Sequence, residues 1–413
     1  MAGVVITGLG TMGQGLLYQL SITPGLRCLA VAELRLERAA AFIRSLGLPF
    51  EIVSTRAQLV SAVERRVLAL TDDGELAVQA PGAKVLIEST NSILASLAFC
   101  RKAQAAGLHL VMMNAEADLL FGPLLMAGAR TAGLTYTSCD GDQPGVVKRL
   151  VDEAILWGME PVLLGNIKGF LDRYSDPVSI RPEAEKRNLD HRMCAAFTDG
   201  TKLCIEAALM ANACGGLTDV VGMHGPRVAH VRDVSRVFDL AALRARKAPV
   251  VDYVLGAEPD GGVFVVAHCD HPYQRGMLRY YKMGDGPFYT LVRPMHLCHV
   301  EAMRCVFDAL GGISLMEPVH GFRTNVFARG KRALRAGELL DGLGGHATYG
   351  LIENCDPTVL PQGLPSCLAD DVRLKRDVAK DEPILLADVG FDAQRADFAA
   401  YLAQFPTPRP SPR

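Results

Sequence analysis

Residues 4–13 read Val4-Val5-Ile6-Thr7-Gly8-Leu9-Gly10-Thr11-Met12-Gly13, a short apolar run delivered straight into a G-x-G-x-x-G turn. A second apolar run, Cys28-Leu29-Ala30-Val31-Ala32, ends in the acid Glu33 about twenty positions further on. Few folds accept this pattern. It predicts a strand, a tight turn, a helix and a parallel second strand, the opening of an α/β domain that binds a dinucleotide. Gly8 permits the turn, Gly10 lets the backbone approach a pyrophosphate, and Gly13 lets the helix running toward Leu20 pack on the strand. Around Thr11 and Met12 that helix offers unpaired N–H groups and its positive dipole end to phosphates. Glu33 suits the free 2′-hydroxyl of NAD, whereas Arg35 and Arg38 suit the 2′-phosphate of NADP, so the residues leave that choice open.

Strand and helix signals keep alternating through the first third of the chain. A third strand is expected at Val67-Leu68-Ala69-Leu70 and a fourth at Ala83-Lys84-Val85-Leu86-Ile87-Glu88, ending in the polar Ser89-Thr90-Asn91. A helix from Ile93 to Ala106 stops at Gly107, a common terminator. Strand five, His109 to Met113, leads into Asn114-Ala115-Glu116, and a further strand, Leu134 to Thr137, ends near Asp140-Gly141-Asp142. These polar strand ends fall where open parallel sheets hold ligands. Thr90, Asn91, Asn114 and Glu116 are therefore cofactor candidates and Asp142 a substrate candidate.

A chain of 413 residues supports two or three domains, and its formal net charge of −2 argues against a surface shaped for nucleic acid or anionic lipid. Although 49% of residues are hydrophobic, no apolar run reaches the roughly 18 residues of a membrane helix. With strand one starting at once, the chain reads as cytoplasmic, with a small molecule as its partner. Its 11 cysteines form no C-x-x-C pair and read as reduced apolar fillers. His268-Cys269-Asp270-His271 and His296-Leu297-Cys298-His299 lack the spacing of a zinc site, so no metal ligand set is read from them.

Beyond about residue 148 the rhythm changes to an expected α+β substrate domain. Val147 to Trp157 reads as a helix and Pro161 to Gly165 as a strand feeding Asn166-Ile167-Lys168. A charged insert, Asp172 to Arg192, includes Arg173, Arg181, Lys186, Arg187 and Arg192, some of which could hold an anionic substrate. Phe197 to Ala213 is expected to be one helix, capped by Thr198 or Asp199 and ending at Gly215-Gly216, with Asp199, Lys202 and Glu206 on one face. One reading makes Asp199 a cap beside a surface ion pair. The other follows from the apolar residues around these charges, because charge on a buried helix is costly unless it is paired or functional. Leu278 to Tyr281 and Leu291 to Leu297 are expected to form a hairpin about Gly284-Asp285-Gly286-Pro287, with Tyr281, Lys282, Arg293 and His296 as either cross-strand pairs or ligand contacts. A helix over about 297–310 is expected to return to the first domain. The chain beyond residue 319 reads as β-rich, with two similar basic-turn units at Ala328–Leu340 and Leu374–Ile384, and the tail from residue 405 as disordered.

The strand His109–Asn114, the Gly141-Asp142-Gln143-Pro144-Gly145 turn and the Asp199-Gly200-Thr201-Lys202-Leu203 helix start resemble homoserine dehydrogenases. More closely, they resemble deoxyxylulose-phosphate reductoisomerase-like proteins, and Tyr280–Pro287 and Arg293–Leu297 are the most specific shared runs. The Leu364–Val389 stretch is similar to a SAF, or antifreeze-like, domain. Two features depart from homoserine dehydrogenases: Asp199 lies three residues before Lys202 rather than four, and Asn114-Ala115-Glu116 stands where they carry Asn-Lys. The resemblance implies a Rossmann domain over 1–148, a substrate domain over 149–296 and a SAF-like domain over 319–404. It further implies a homo-oligomeric NAD(P)H-dependent oxidoreductase, leaning to NADP, that reduces a phosphorylated or polyhydroxy carbonyl compound. In one described activity of that group, rearrangement of a deoxyketose phosphate precedes reduction; were that so here, a divalent metal could chelate two substrate oxygens, with no ligand set readable in the sequence. Lys168 and Lys202 would polarise the carbonyl or shuttle its proton, with Asp199 orienting a lysine and holding it charged. The alternatives are a homoserine dehydrogenase-type activity and a non-catalytic nucleotide-binding regulator.

Overall fold

The computed structural model describes residues 1–186 and 189–405. Arg187 and the expected tail over 406–413 lie outside the described residues. The chain divides into two compact units, Met1–Gly145 with Leu297–Glu317, and Val146–His296 with the chain from Pro318 onward.

In the first unit strands and helices alternate: β1 Ala2–Thr7, α1 Thr11–Ile22, β2 Leu26–Ala32, α2 Leu36–Ser45, β3 Phe50–Ile52, α3 Arg56–Glu64, β4 Leu68–Thr71, α4 Gly74–Ala77, β5 Ala83–Glu88, α5 Ile93–Ala105, β6 His109–Met112, α6 Ala115–Thr131 and β7 Tyr136–Ser138. The seven strands form one sheet in the order β3-β4-β2-β1-β5-β6-β7, and every pair is parallel. Val4, Val5, Ile6, Val85, Leu86 and Ile87 are fully buried, as strands covered on both faces require. The strand expected third is in fact β4. Phe50–Ile52 escaped notice because a strand this short on the sheet edge, in the sequence Phe-Glu-Ile, carries almost no pattern. Strand order reverses at β1, so the carboxyl ends of β1 and β5, where Thr7 stands beside Glu88, mark the switch point that holds ligands in such sheets. The helix Cys298–Leu310 packs on α1, where a Cβ on Gly15 would come within 2.4 Å of the His299 ring.

The second unit starts with α7 Gln143–Leu156, which crosses the division, and continues with β8 Glu160–Lys168, α8 Arg181–Lys186, α9 His191–Thr198, α10 Thr201–Cys214, α11 Leu240–Arg244, β9 Val250–Leu255, β10 Val263–His268, α12 Pro272–Tyr280 and β11 Phe288–Arg293. A mixed sheet has the order β11-β10-β8-β9, with β8 and β9 parallel and the other pairs antiparallel. Val162, Phe264 and Val266 of this sheet form a core with Val231, Val234 and Leu243. After it come β12 Thr324–Gly330, β13 Leu339–Asp341, β14 Thr348–Asn354, β15 Asp370–Leu374 and β16 Val389–Gly390. Strands β12 and β14 form one antiparallel pair, and β13, β15 and β16 a three-stranded antiparallel sheet. The two basic-turn units meet each other, with Leu334 bridged to Val378 and Arg329 to Pro383.

Two expectations are corrected. The single helix over 197–213 is two helices, because Gly200 takes φ 86° and breaks the chain between α9 and α10. Asp199 is therefore not on the face that carries Lys202 and Glu206. The hairpin over 278–297 has only its second strand, β11, whose partner is β10. Its first half is α12, started by Pro272 in the first turn. Leu278 is the one residue buried along that helix, so no second apolar face existed to make a strand of it.

Candidate functional site

At the end of β1 the three glycines have separate physical roles. Gly8 has φ 85°, and a Cβ there would lie 2.7 Å from the Ser89 carbonyl oxygen. On Gly13 a Cβ would come within 2.0 Å of the Gly8 carbonyl oxygen. Gly10 differs: its φ of −68° suits any residue, and a Cβ would meet nothing within 4 Å. The open space over Gly10, at the N-terminus of α1 with Thr11 and Met12 exposed beside it, is the approach a pyrophosphate needs. The residues present thus fit the phosphate half of a dinucleotide.

Glu33 follows β2 and reaches back to this turn. One carboxylate oxygen accepts the Leu9 N–H at 2.8 Å. The other accepts the Arg35 N–H at 3.1 Å and its Nε–H at 3.3 Å. Burial pushes the carboxyl upward, but the Leu9 and Arg35 donors more than offset this and hold it below its ordinary value. Arg38 is exposed on α2. At the end of β5, Thr90 and the exposed Asn91 form a turn tied to the first by Ser89, whose hydroxyl donates to the carbonyl oxygens of Thr7 at 2.9 Å and Gly8 at 3.0 Å. Asn114 caps α6 by accepting the Ala117 N–H at 3.0 Å, and the half-buried Glu116 lies in the first turn of α6. Asp142 accepts the Gln143 N–H at 2.9 Å.

In the second unit α10 is buried along nearly its whole length, including Lys202 and Glu206. Across from it, at the end of β8, Lys168 Nζ lies 3.4 Å from Glu206 Oε2 and Asn166 Nδ2 lies 3.3 Å from the same oxygen. The Glu206 side chain is 3% exposed and that of Lys168 18%. The buried carboxylate thus holds one side of the Lys168 ammonium, and the open side leaves its protons reachable. Asn166 is fully buried, and its Oδ1 has no hydrogen-bond partner.

Asp199 has another engagement. It accepts the Thr201 N–H at 2.8 Å and pairs with Lys331 Nζ at 2.9 Å, with side chains 0% and 3% exposed. Lys331 also donates to the carbonyls of Ser175 at 2.6 Å and Gly345 at 2.8 Å. The lysine that Asp199 holds is thus Lys331, and the carboxylate beside Lys168 is Glu206. Arg173 is exposed, with its guanidinium 5.4 Å from the centre of the Tyr349 ring. Tyr281 and Lys282 stand in the exposed turn after α12, and Arg293 and His296 are half-buried at and after the end of β11.

Three residues escaped the reading of the sequence. Glu88 had a usable signal, an acid ending the apolar run Val85-Leu86-Ile87 as Glu33 ends its own. Asn166 has no signal of its own in the strand that leads to Lys168, and Lys331 is one cation in the basic run 329–335.

Residues 141–302 match the family described as "Oxidoreductase DRL, catalytic domain", a span that holds Lys168, Asp199, Lys202, Glu206 and Arg293. No curated protein matches the chain. Among solved structures it is similar to a probable dehydrogenase from Thermotoga maritima, with 11% identity over 76% of this chain and 90% of that one and a TM-score of 0.44. It is also similar to a myo-inositol dehydrogenase from Lactobacillus casei in complex with NAD(H) and myo-inositol, with 14% identity over 70% and 74% and a TM-score of 0.40. A DOX-P reductoisomerase in complex with NADPH, fosmidomycin and magnesium matches at 14% identity over 51% and 58%, with a TM-score of 0.35. None of these likenesses is close enough to carry a substrate across. An oxidoreductase catalytic-domain match on a chain that opens with the dinucleotide turn makes this an NAD(P)-dependent oxidoreductase.

Proposed function

We propose that the chain transfers a hydride between NAD(P)H and the carbonyl carbon of a small phosphorylated or polyhydroxy compound, with Lys168 as the acid. The observation that carries this is the half-open Lys168 ammonium backed by the buried Glu206 carboxylate. When bound, the nicotinamide supplies the hydride. As it adds to the carbonyl carbon, the C=O electron pair moves to oxygen and takes a proton from Lys168 Nζ. Glu206 fixes that nitrogen in place, and Asn166 holds Glu206. Lys202, one turn before Glu206 on α10, adds positive charge toward the developing alkoxide, and Arg173 supplies a cation for a phosphate. Acid help of this kind contributes roughly 10²–10⁴-fold. For the cofactor, Glu33 held ionised against Leu9 favours the free ribose hydroxyl of NADH over the phosphate of NADPH, since Arg35 is already spent on Glu33.

The test follows NAD(P)H absorbance with a panel of ketose phosphates, hydroxyaldehydes and polyols, and product analysis shows whether the carbon skeleton rearranges before reduction. Lys168→Met, Glu206→Gln and Lys202→Ala should each lower kcat about 100-fold or more while cofactor Kd stays within about twofold. Near-normal turnover in Lys168→Met and Lys202→Ala rules the assignment out.

A further inference from the structure

Glu88 is fully buried at the carboxyl end of β5, yet its carboxylate is fully employed. It accepts the Thr90 N–H at 2.9 Å and the Thr90 hydroxyl on one oxygen, and the Ser96 hydroxyl at 2.7 Å on the other. Asn114, from the loop after β6, also bears on this carboxylate. Its Nδ2 is buried and lacks a hydrogen bond of ordinary geometry, and its pull on the Glu88 carboxylate is the weakest of the donors there. One carboxylate therefore joins the turn after β5, the first turn of α5 and the cap of α6, directly beside the Gly8 turn to which Ser89 is bonded.

We propose that Glu88 is a positioning residue for the nicotinamide nucleotide: its carboxylate clamps the Thr90 turn and the Asn114 cap in the arrangement that receives the cofactor. This rests on the dinucleotide reading of the β1–α1 turn. The groups around the carboxylate are mostly donors, so the ionised form makes the full set of bonds and the protonated form does not. Burial, opposed by Thr90, Ser96 and Asn114, places the Glu88 titration at about 7. Thr7 and Met112 flank Glu88 on the neighbouring strands. The nearby titratable group on α5 is the Cys100 thiol, which burial and Glu88 push well above its ordinary value, with Asp118 of α6 acting on it more weakly. His109 lies at the opposite end of β6. The transition near neutrality is therefore that of Glu88, and cofactor affinity falls as pH drops through it.

The experiment is a fluorescence titration of the full chain with NADH and with NADPH at pH 6 to 8.5, for wild type, Glu88→Gln and Thr90→Val. Wild-type Kd for the tighter nucleotide should rise about tenfold from pH 8.5 to 6, as the ionised fraction falls to roughly a tenth. Glu88→Gln should bind about tenfold more weakly at pH 8.5 with a flat profile, and should melt no lower than wild type at that pH. Thr90→Val should move the transition to higher pH, because the carboxylate loses a donor. A flat wild-type profile, or either variant keeping the wild-type affinity and profile, overturns the proposal. Wild-type protein that binds neither nucleotide at any pH overturns the dinucleotide reading itself.

Discussion

Replacing Lys331 by Met tests whether Asp199 is structural. The Lys331 ammonium donates to the carbonyls of Ser175 and Gly345 and forms an ion pair with Asp199. Met preserves the volume and removes the charge. Asp199 then keeps only its Thr201 donors, and two carbonyls lose their donor. Removing one partner of a buried ion pair costs about 3–5 kcal/mol, a large part of the roughly 5–15 kcal/mol that stabilises a typical domain. The sign of the pH dependence follows from Asp199: burial pushes its carboxyl above the ordinary range and Lys331 pulls it back. Without Lys331 the folded-state value rises further. The deficit is then largest at neutral pH and shrinks as acid protonates Asp199. Urea unfolding at pH 7 and pH 5 measures this, and Lys331→Met with Asp199→Asn should recover part of the loss. A Lys331→Met protein within about 1 kcal/mol of wild type at pH 7, or one whose deficit ignores pH, refutes the reasoning.

Glu33→Gln should weaken NADH more than NADPH, because the lost negative charge no longer repels a 2′-phosphate; equal losses for the two nucleotides in calorimetric titrations would contradict this. Glu88 titrates at about 7 in the folded state against an ordinary 4.5, so its contribution to stability is full at low pH and is lost as pH rises through about 7. That amounts to about 3 kcal/mol at pH 8. Melting curves of Glu88→Gln should therefore lack a loss of stability between pH 5 and pH 8 that wild type shows.

The first unit was legible in the sequence because its parallel strands are apolar runs with glycine turns between them; Ala83–Glu88 was placed to the residue. The second unit was less so. There, Gly200 broke a run of helix-forming residues, and only its φ shows why. Leu278–Tyr281 carries strand-like residues, yet they form the end of a helix on which Leu278 alone is buried. The value of Asp199 depended on which lysine it meets, and Lys331 lies far along the chain, where no local spacing points to it. Glu206 was found by its place on a buried helix, but its pairing with Lys168 required the fold.

The central claim is that a nicotinamide dinucleotide lies over the β1–α1 turn, and Gly10→Val tests it most directly. Its side chain enters space that no protein atom within 4 Å of the Cβ fills, on a backbone open to any residue, so the fold should be untouched. Wild type should bind NADH or NADPH in a calorimetric titration, and Gly10→Val should lose at least about 100-fold in affinity with an unchanged melting temperature. A variant that binds as tightly as wild type would contradict the account.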